Sequence, residues 1–140
     1  MLDLTSLEKA VAALRKAVDA SRSSDLLDKL SADQQELVRS GVIQHFEFTY
    51  ELCWKFIQRW LRENVTAMDA DHPRTRKELF RLAAQHYLIT DPLAWFSYTD
   101  ARNLTAHTYD RQKAEQVYMN AIRFVDDAQY LLKQLQEHND

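Results

Sequence analysis

The chain reads as all-α, an antiparallel up-and-down four-helix bundle with one additional short helix. Three observations predict this. Glycine occurs once in 140 residues, where average usage would give roughly ten, and tight hairpin turns lean on that residue. Only two prolines interrupt the chain. Long apolar stripes recur at three- and four-residue steps, and no segment alternates apolar and polar residues as a half-buried strand does.

The first helix opens at Thr5-Ser6-Leu7-Glu8, a capping-box pattern with Thr5 as N-cap and Glu8 reaching back. Beyond it Leu7, Val11, Leu14 and Val18 form one apolar stripe. The stretch from Ser21 to Asp25 marks an end or weak point. Ser31-Ala32-Asp33-Gln34 is a second capping box, and its helix is expected to run to about Asn64. There Phe46, Thr49, Tyr50, Cys53, Phe56, Ile57 and Trp60 keep the helical spacing, and Phe48, Leu52, Trp54 and Leu61 widen the stripe. Only Gln44, Glu47, Glu51, Lys55, Gln58 and Arg62 leave a polar strip. Such a helix belongs in the middle of a bundle or in a dimer interface. Gly41 inside it costs about 1 kcal/mol against alanine, and marks either a close backbone approach or a local bend.

Asp71-His72-Pro73 and Asp91-Pro92 each set a cap-like residue close to a proline, the expected start of a helix. The first opens a short helix to about Gln85. The second carries Trp95, Phe96 and Thr99 toward the stretch ARNLTAHTYD, residues 101–110. Asp110 caps the last helix, whose stripe is Ala114, Val117, Tyr118, Ala121, Phe124, Val125, Ala128, Leu132 and Leu135. No repeat, low-complexity tract or linker divides the chain, so residues 1–140 form a single helical domain of four or five helices.

Composition narrows the function classes. With 46% apolar residues the chain is not disordered. The single cysteine, Cys53, excludes an internal disulfide and a Cys-based zinc site. His45, His72, His86 and His138 show no metal-ligand spacing with carboxylates, so no metal or cofactor is expected. No apolar run approaches about eighteen residues and no leader pattern opens the chain, which predicts a soluble, cytoplasmic protein away from membranes. A formal charge of −3 argues against a broad non-specific nucleic-acid binder and leaves room for a local basic pocket.

Arg102, His107 and Tyr109 stand within eight residues of one another in that 101–110 stretch. Arg102 and His107 are five apart, about 140° net on an ideal helix, whereas Arg102 and Tyr109 would share a face. Two arrangements bring arginine and histidine together. The helix ends near Ala106 and His107 swings round, or the two residues converge across a symmetric dimer. An arginine and a histidine in one pocket suit a phosphodiester. Guanidinium grips phosphate oxygens in bidentate fashion and imidazole exchanges a proton near neutral pH. In RNA the substrate carries its own nucleophile, the 2′-hydroxyl, so a metal-free site needs only proton transfer and charge stabilisation. The ordinary alternative makes Arg102 a solvated helix residue, His107 a polar connector and Tyr109 a packing residue.

RNLTAHTY matches Arg-x4-His-x-Tyr with asparagine directly after the arginine, and so resembles the signature of HEPN domains encoded beside minimal nucleotidyltransferases. GVIQHFEFTYELCWKFIQRWL, residues 41–61, is similar to the long-helix motif of the nucleotidyltransferase substrate-binding proteins, and HPRTRKELF to their Pro-Arg helix start. The likeness covers about residues 38–135; Cys53 stands where alanine is usual and His72 where serine often caps. The resemblance implies a bundle that dimerises and acts as the toxin of a toxin-antitoxin pair. Arg102 and His107 would be the pair of a metal-independent endoribonuclease, with Asn103 as a supporting polar group. Tyr109 would be the residue to which a partner nucleotidyltransferase, the antitoxin, adds AMP. A bulky anion beside Arg102 would then occupy the phosphate site and repel RNA. The same resemblance allows a non-catalytic subunit that presents a nucleotide or substrate to the transferase, and a purely structural helical adaptor would keep the fold and discard the site.

Other candidates are less specific. Glu47, Glu51 and Lys55 form a cleft-facing stripe or a plain polar seam with one Glu-to-Lys i,i+4 pair. Arg74, Lys77 and Arg81 share a helical face, with Arg76 nearby, and are possible contacts for RNA or an acidic partner, or a solvated face. Trp54, Trp60 and Trp95 read as core or interface anchors, and Cys53 as core.

Overall fold

In the computed structural model, which describes residues 1–65 and 73–139, every regular element is a helix. The order is α1 (Thr5–Ser21), α2 (Ser24–Leu27), α3 (Ala32–Asn64), α4 (Arg76–Gln85), α5 (Pro92–Leu104), a 3-10 turn (Thr105–His107) and α6 (Arg111–Glu137). Contacts between side chains fix the directions. Thr49 of α3 donates to the Ala10 carbonyl of α1, and Tyr98 of α5 donates to Asp127 of α6. Tyr50 of α3 meets Thr99 of α5, while Arg39 and Trp60 of α3 reach Glu115 and the His138 carbonyl at opposite ends of α6. Helices α1 and α5 thus run one way, and α3 and α6 the other. This is the expected up-and-down bundle, with α4 as the short additional helix.

Most boundaries follow the capping chemistry. Ser31 and Gln34 close a reciprocal box at the start of α3, satisfying two otherwise orphaned backbone donors. Asp91 caps α5 with Pro92 in its first turn, and the Asp110 carboxylate accepts from Gln112 and Lys113 N–H groups. Two starts differ from expectation. At α1 the residue preceding the helix is Leu4, and Thr5 donates both its N–H and its hydroxyl to Asp3. A full carboxylate near a helix N-terminus is a stronger acceptor than a hydroxyl. At α4 the cap is Thr75, whose hydroxyl accepts from Glu78 N–H, and Pro73 lies upstream of the helix. Thr75-x-x-Glu78 is itself a capping-box spacing and wins over the proline; Asp71 and His72 lie outside the described residues.

The core is built on α3, which packs against α1, α4, α5 and α6. Phe46, Thr49, Tyr50, Cys53, Phe56, Ile57 and Trp60 are all buried, while Phe48 stays exposed. Phe124 of α6 sits at the centre, with the rings of Phe46, Trp95 and Tyr98 edge-on to it at 5.1–5.5 Å. A β-carbon at Gly41 would find no atom within 4 Å, so no close approach among the described residues explains it. Helix α4 ends in a Schellman turn, with Leu88 N–H bonding the Ala83 carbonyl and Tyr87 N–H the Ala84 carbonyl. Tyr87 there takes the left-handed conformation at φ 63°. At the other pole of the bundle from residues 105–110, the Asn139 carboxamide exchanges two 2.8 Å hydrogen bonds with the backbone of Leu2.

Candidate functional site

The end of α5 is shaped by Thr105. Its hydroxyl donates to the Arg102 carbonyl at 2.7 Å and accepts from the Arg102 guanidinium at 3.2 Å. A side chain that bonds the preceding turn competes with helix continuation. Helix α5 accordingly stops at Leu104, two residues before the expected Ala106, and the chain tightens into the 3-10 turn that carries His107. Asp110 N–H then bonds the His107 carbonyl, and α6 begins.

The two principal residues have different partners. Arg102 is half-buried, with its Nε 3.1 Å from Glu51 and an Nη 3.4 Å from Glu47. Glu51 is held in turn by the Trp54 indole N–H at 3.0 Å. His107 is exposed, and its Nδ1 lies 3.4 Å from the hydroxyl of Tyr109. The two rings meet edge-on at 5.9 Å. Arg102 and His107 therefore share no hydrogen bond among the described residues. The helix end allows His107 to swing, but it swings toward Tyr109, which sides with His107 rather than with Arg102. Asn103 is exposed and makes no side-chain hydrogen bond among the described residues.

The polar stripe of α3 is less uniform than its sequence. Glu47 and Glu51 clamp Arg102, so they face the candidate site. Lys55 forms no ion pair with Glu51, because both Glu51 oxygens are engaged by Arg102 and Trp54; it lies instead over the Trp54 ring. Arg74 precedes α4 and shares no helical face with Lys77 and Arg81, whose charged ends lie 5.6 and 5.3 Å from the Phe96 ring centre. Glu47 and Glu51 facing the cleft was one of the two expectations for this stripe; their pairing with Arg102, and the part of Thr105, was not expected. The pairing's one sequence signal is the pair of carboxylates at i and i+4 on the polar strip of α3.

Beside the turn, a groove of about 820 Å³ runs between the first half of α3 and the start of α6. Tyr109, Thr105, Glu47, Arg39 and Tyr118 line it, and Arg39 lies over the Tyr118 ring at 4.5 Å. Burial pushes the Cys53 thiol well above its ordinary range, which suits a core residue and no nucleophile. Trp60 and Trp95 are buried, and Trp54 is half-buried beside Glu51. Among the described residues no cluster of three His, Cys, Asp or Glu side chains has metal-binding geometry, and no helix is long and apolar enough to cross a membrane.

An all-helical bundle with RNLTAHTY at the exit of its third long antiparallel helix defines a class, and comparison places the chain in it. The family profile described as nucleotidyltransferase substrate binding protein like matches residues 2–137, and the chain belongs to that family. A Haemophilus influenzae protein named probable ribonuclease HepT is 34% identical over 138 residues, spanning 99% of this chain and 94% of the relative. A solved H. influenzae structure, described as showing the fold of a substrate binding domain of a nucleotidyltransferase, superposes with a TM-score of 0.89. It is 34% identical, over 96% of this chain and 99% of that one. A Thermus thermophilus crystal structure superposes with a TM-score of 0.72 at 26% identity, over 93% of this chain and 98% of that one.

Proposed function

We propose that the protein is the toxin of a HEPN toxin-antitoxin pair, an endoribonuclease that needs no metal. The carrying observation is the near full-length similarity to a probable ribonuclease, together with Arg102 and His107 at the end of α5. In this reading the RNA 2′-hydroxyl attacks the adjacent phosphorus and the P–O5′ bond breaks. The products are a 2′,3′-cyclic phosphate and a 5′-hydroxyl. His107 moves the protons as general acid/base, and Arg102 holds the phosphate oxygens as charge develops. Arg102 and His107 share no hydrogen bond within one chain; in this reading a homodimer would supply the pairing, with the motifs of both chains lining one cleft.

The control point is Tyr109, 83% exposed and in contact with His107. A cognate minimal nucleotidyltransferase would join the tyrosine oxygen to the α-phosphorus of a nucleoside triphosphate, releasing pyrophosphate and leaving AMP on the ring. The added anion would obstruct the His107 side of the cleft and repel RNA.

The second reading is a non-catalytic subunit that presents a nucleotide to the transferase; the family's description and the groove beside Tyr109 favour it. Growth after induced expression of wild type, His107→Ala and Tyr109→Phe, each with and without the transferase, separates the two. The ribonuclease reading expects arrest by wild type and Tyr109→Phe, none by His107→Ala, and rescue by the transferase only of wild type. Soluble, well-expressed wild type that leaves growth untouched would favour the substrate-binding subunit.

A further inference from the structure

Two groups stand out among the cations of this chain. Arg15, Arg39, Arg102 and Lys133 pair with carboxylates. Lys55, Arg76, Lys77 and Arg81 pair with none among the described residues, and each lies over an aromatic ring. The Arg76 guanidinium sits 3.5 Å from the centre of the Trp54 ring and the Lys55 ammonium 5.7 Å from it. Lys77 and Arg81 lie over Phe96 at 5.6 and 5.3 Å. Arg76 is further tied by a 3.4 Å hydrogen bond to the Tyr50 hydroxyl.

A cation laid on a ring keeps its N–H edge in water while its stem is ordered. Such a side chain loses less rotamer freedom when it grips an anion. Four ordered positive charges without fixed counter-charges, one on α3 and three on α4, thus form a band over the rings of Trp54 and Phe96, on a chain whose formal charge is −3. The band is continuous with the candidate site. The Trp54 N–H bonds one Glu51 oxygen, and the other Glu51 oxygen bonds Arg102.

We infer that this band is the approach track for single-stranded RNA, gripping successive phosphates and leading the strand to Arg102. The inference rests on the ribonuclease reading. Lys77 and Arg81, one turn apart on α4, lie about 6 Å apart at their β-carbons, comparable to the separation of neighbouring phosphates on an extended strand. Guanidinium planes also offer stacking faces to unpaired bases, which favours RNA over an acidic protein as the occupant.

The test uses the full chain with His107→Ala, so that RNA is not consumed, and reads fluorescence anisotropy of a labelled single-stranded RNA across a salt series. Adding Lys77→Gln with Arg81→Gln should weaken binding about tenfold and reduce the log–log salt slope by about 1.4, the value for two lost phosphate contacts. Phe96→Leu keeps every charge and should weaken binding with little change of slope. Unchanged affinity and slope in the double variant would overturn the track. So would polyglutamate competing as well as unlabelled RNA, which would mark a surface for an acidic protein. If the parent binds and wild type cleaves the RNA while the double variant is indifferent, only the track falls. If the parent binds no RNA, the ribonuclease reading falls with it.

Discussion

Arg102 has three partners in its own chain, and two of them are negatively charged. A guanidinium so placed is oriented but partly neutralised, so a phosphate must share it with Glu47 and Glu51. Glu51 is the firmer anchor, being closer and itself held by Trp54. Replacing Glu51 by Ala should lower RNA cleavage by about tenfold or more through a misplaced guanidinium, read as a fall in the single-turnover rate. Because both side chains are 30% exposed, the same change should cost stability under about 1 kcal/mol, read as a small shift in urea midpoint. A large stability loss with intact cleavage would make the pair structural. At this scale the sequence shows Arg102, His107 and Tyr109 plainly, because their motif is local. It hides their partners. Whether Glu47 and Glu51 face α5 or solvent depends on the register of two helices separated by some fifty residues, and packing decides that.

Helices themselves were legible almost throughout, since a capping residue and an apolar stripe are local facts. Both misplaced helix starts came from rival acceptors a few residues away: Asp3 displacing Thr5, and the Thr75–Glu78 pair displacing Pro73. The chain also places its one glycine where helix geometry gains nothing from it. Gly41 lies within α3 with open space where a side chain would stand. Tyr87 holds a left-handed turn position that glycine occupies without strain, and it is 77% exposed. Gly41→Ala and Tyr87→Gly should therefore each stabilise the monomeric fold by about 1 kcal/mol, measured by chemical denaturation. If Gly41→Ala destabilises instead, something beyond the described residues, such as a second copy, packs against that bare turn.

For the molecule as a whole, alkaline pH acts through three acids that folding shelters. Burial raises the Cys53 thiol and the Tyr98 phenol far above ordinary values of 9.0 and 10.0, with the Asp127 carboxylate adding to the effect on Tyr98. Burial also raises Tyr50, though its hydrogen bonds with Thr99 and Arg76 oppose it. The unfolded chain gives up these protons at their ordinary values while the folded chain keeps them. Above about pH 9 the unfolded state thus binds fewer protons, and unfolding becomes easier as pH rises. Below that these groups make no difference. Urea midpoints should be level from about pH 7 to about pH 8.5 and fall by about pH 10.5; a level profile throughout would contradict this. Cys53 should resist thiol reagents until the chain unfolds. The paired Leu2 and Asn139 carry one last consequence. Because they grip each other at the pole opposite His107, this contact closes a loop that contains every helix of the bundle. A short covalent bridge there would remove loop-closure entropy from the unfolded chain. The order of the helices would then become circular, free to be opened at another surface turn with every bundle contact kept.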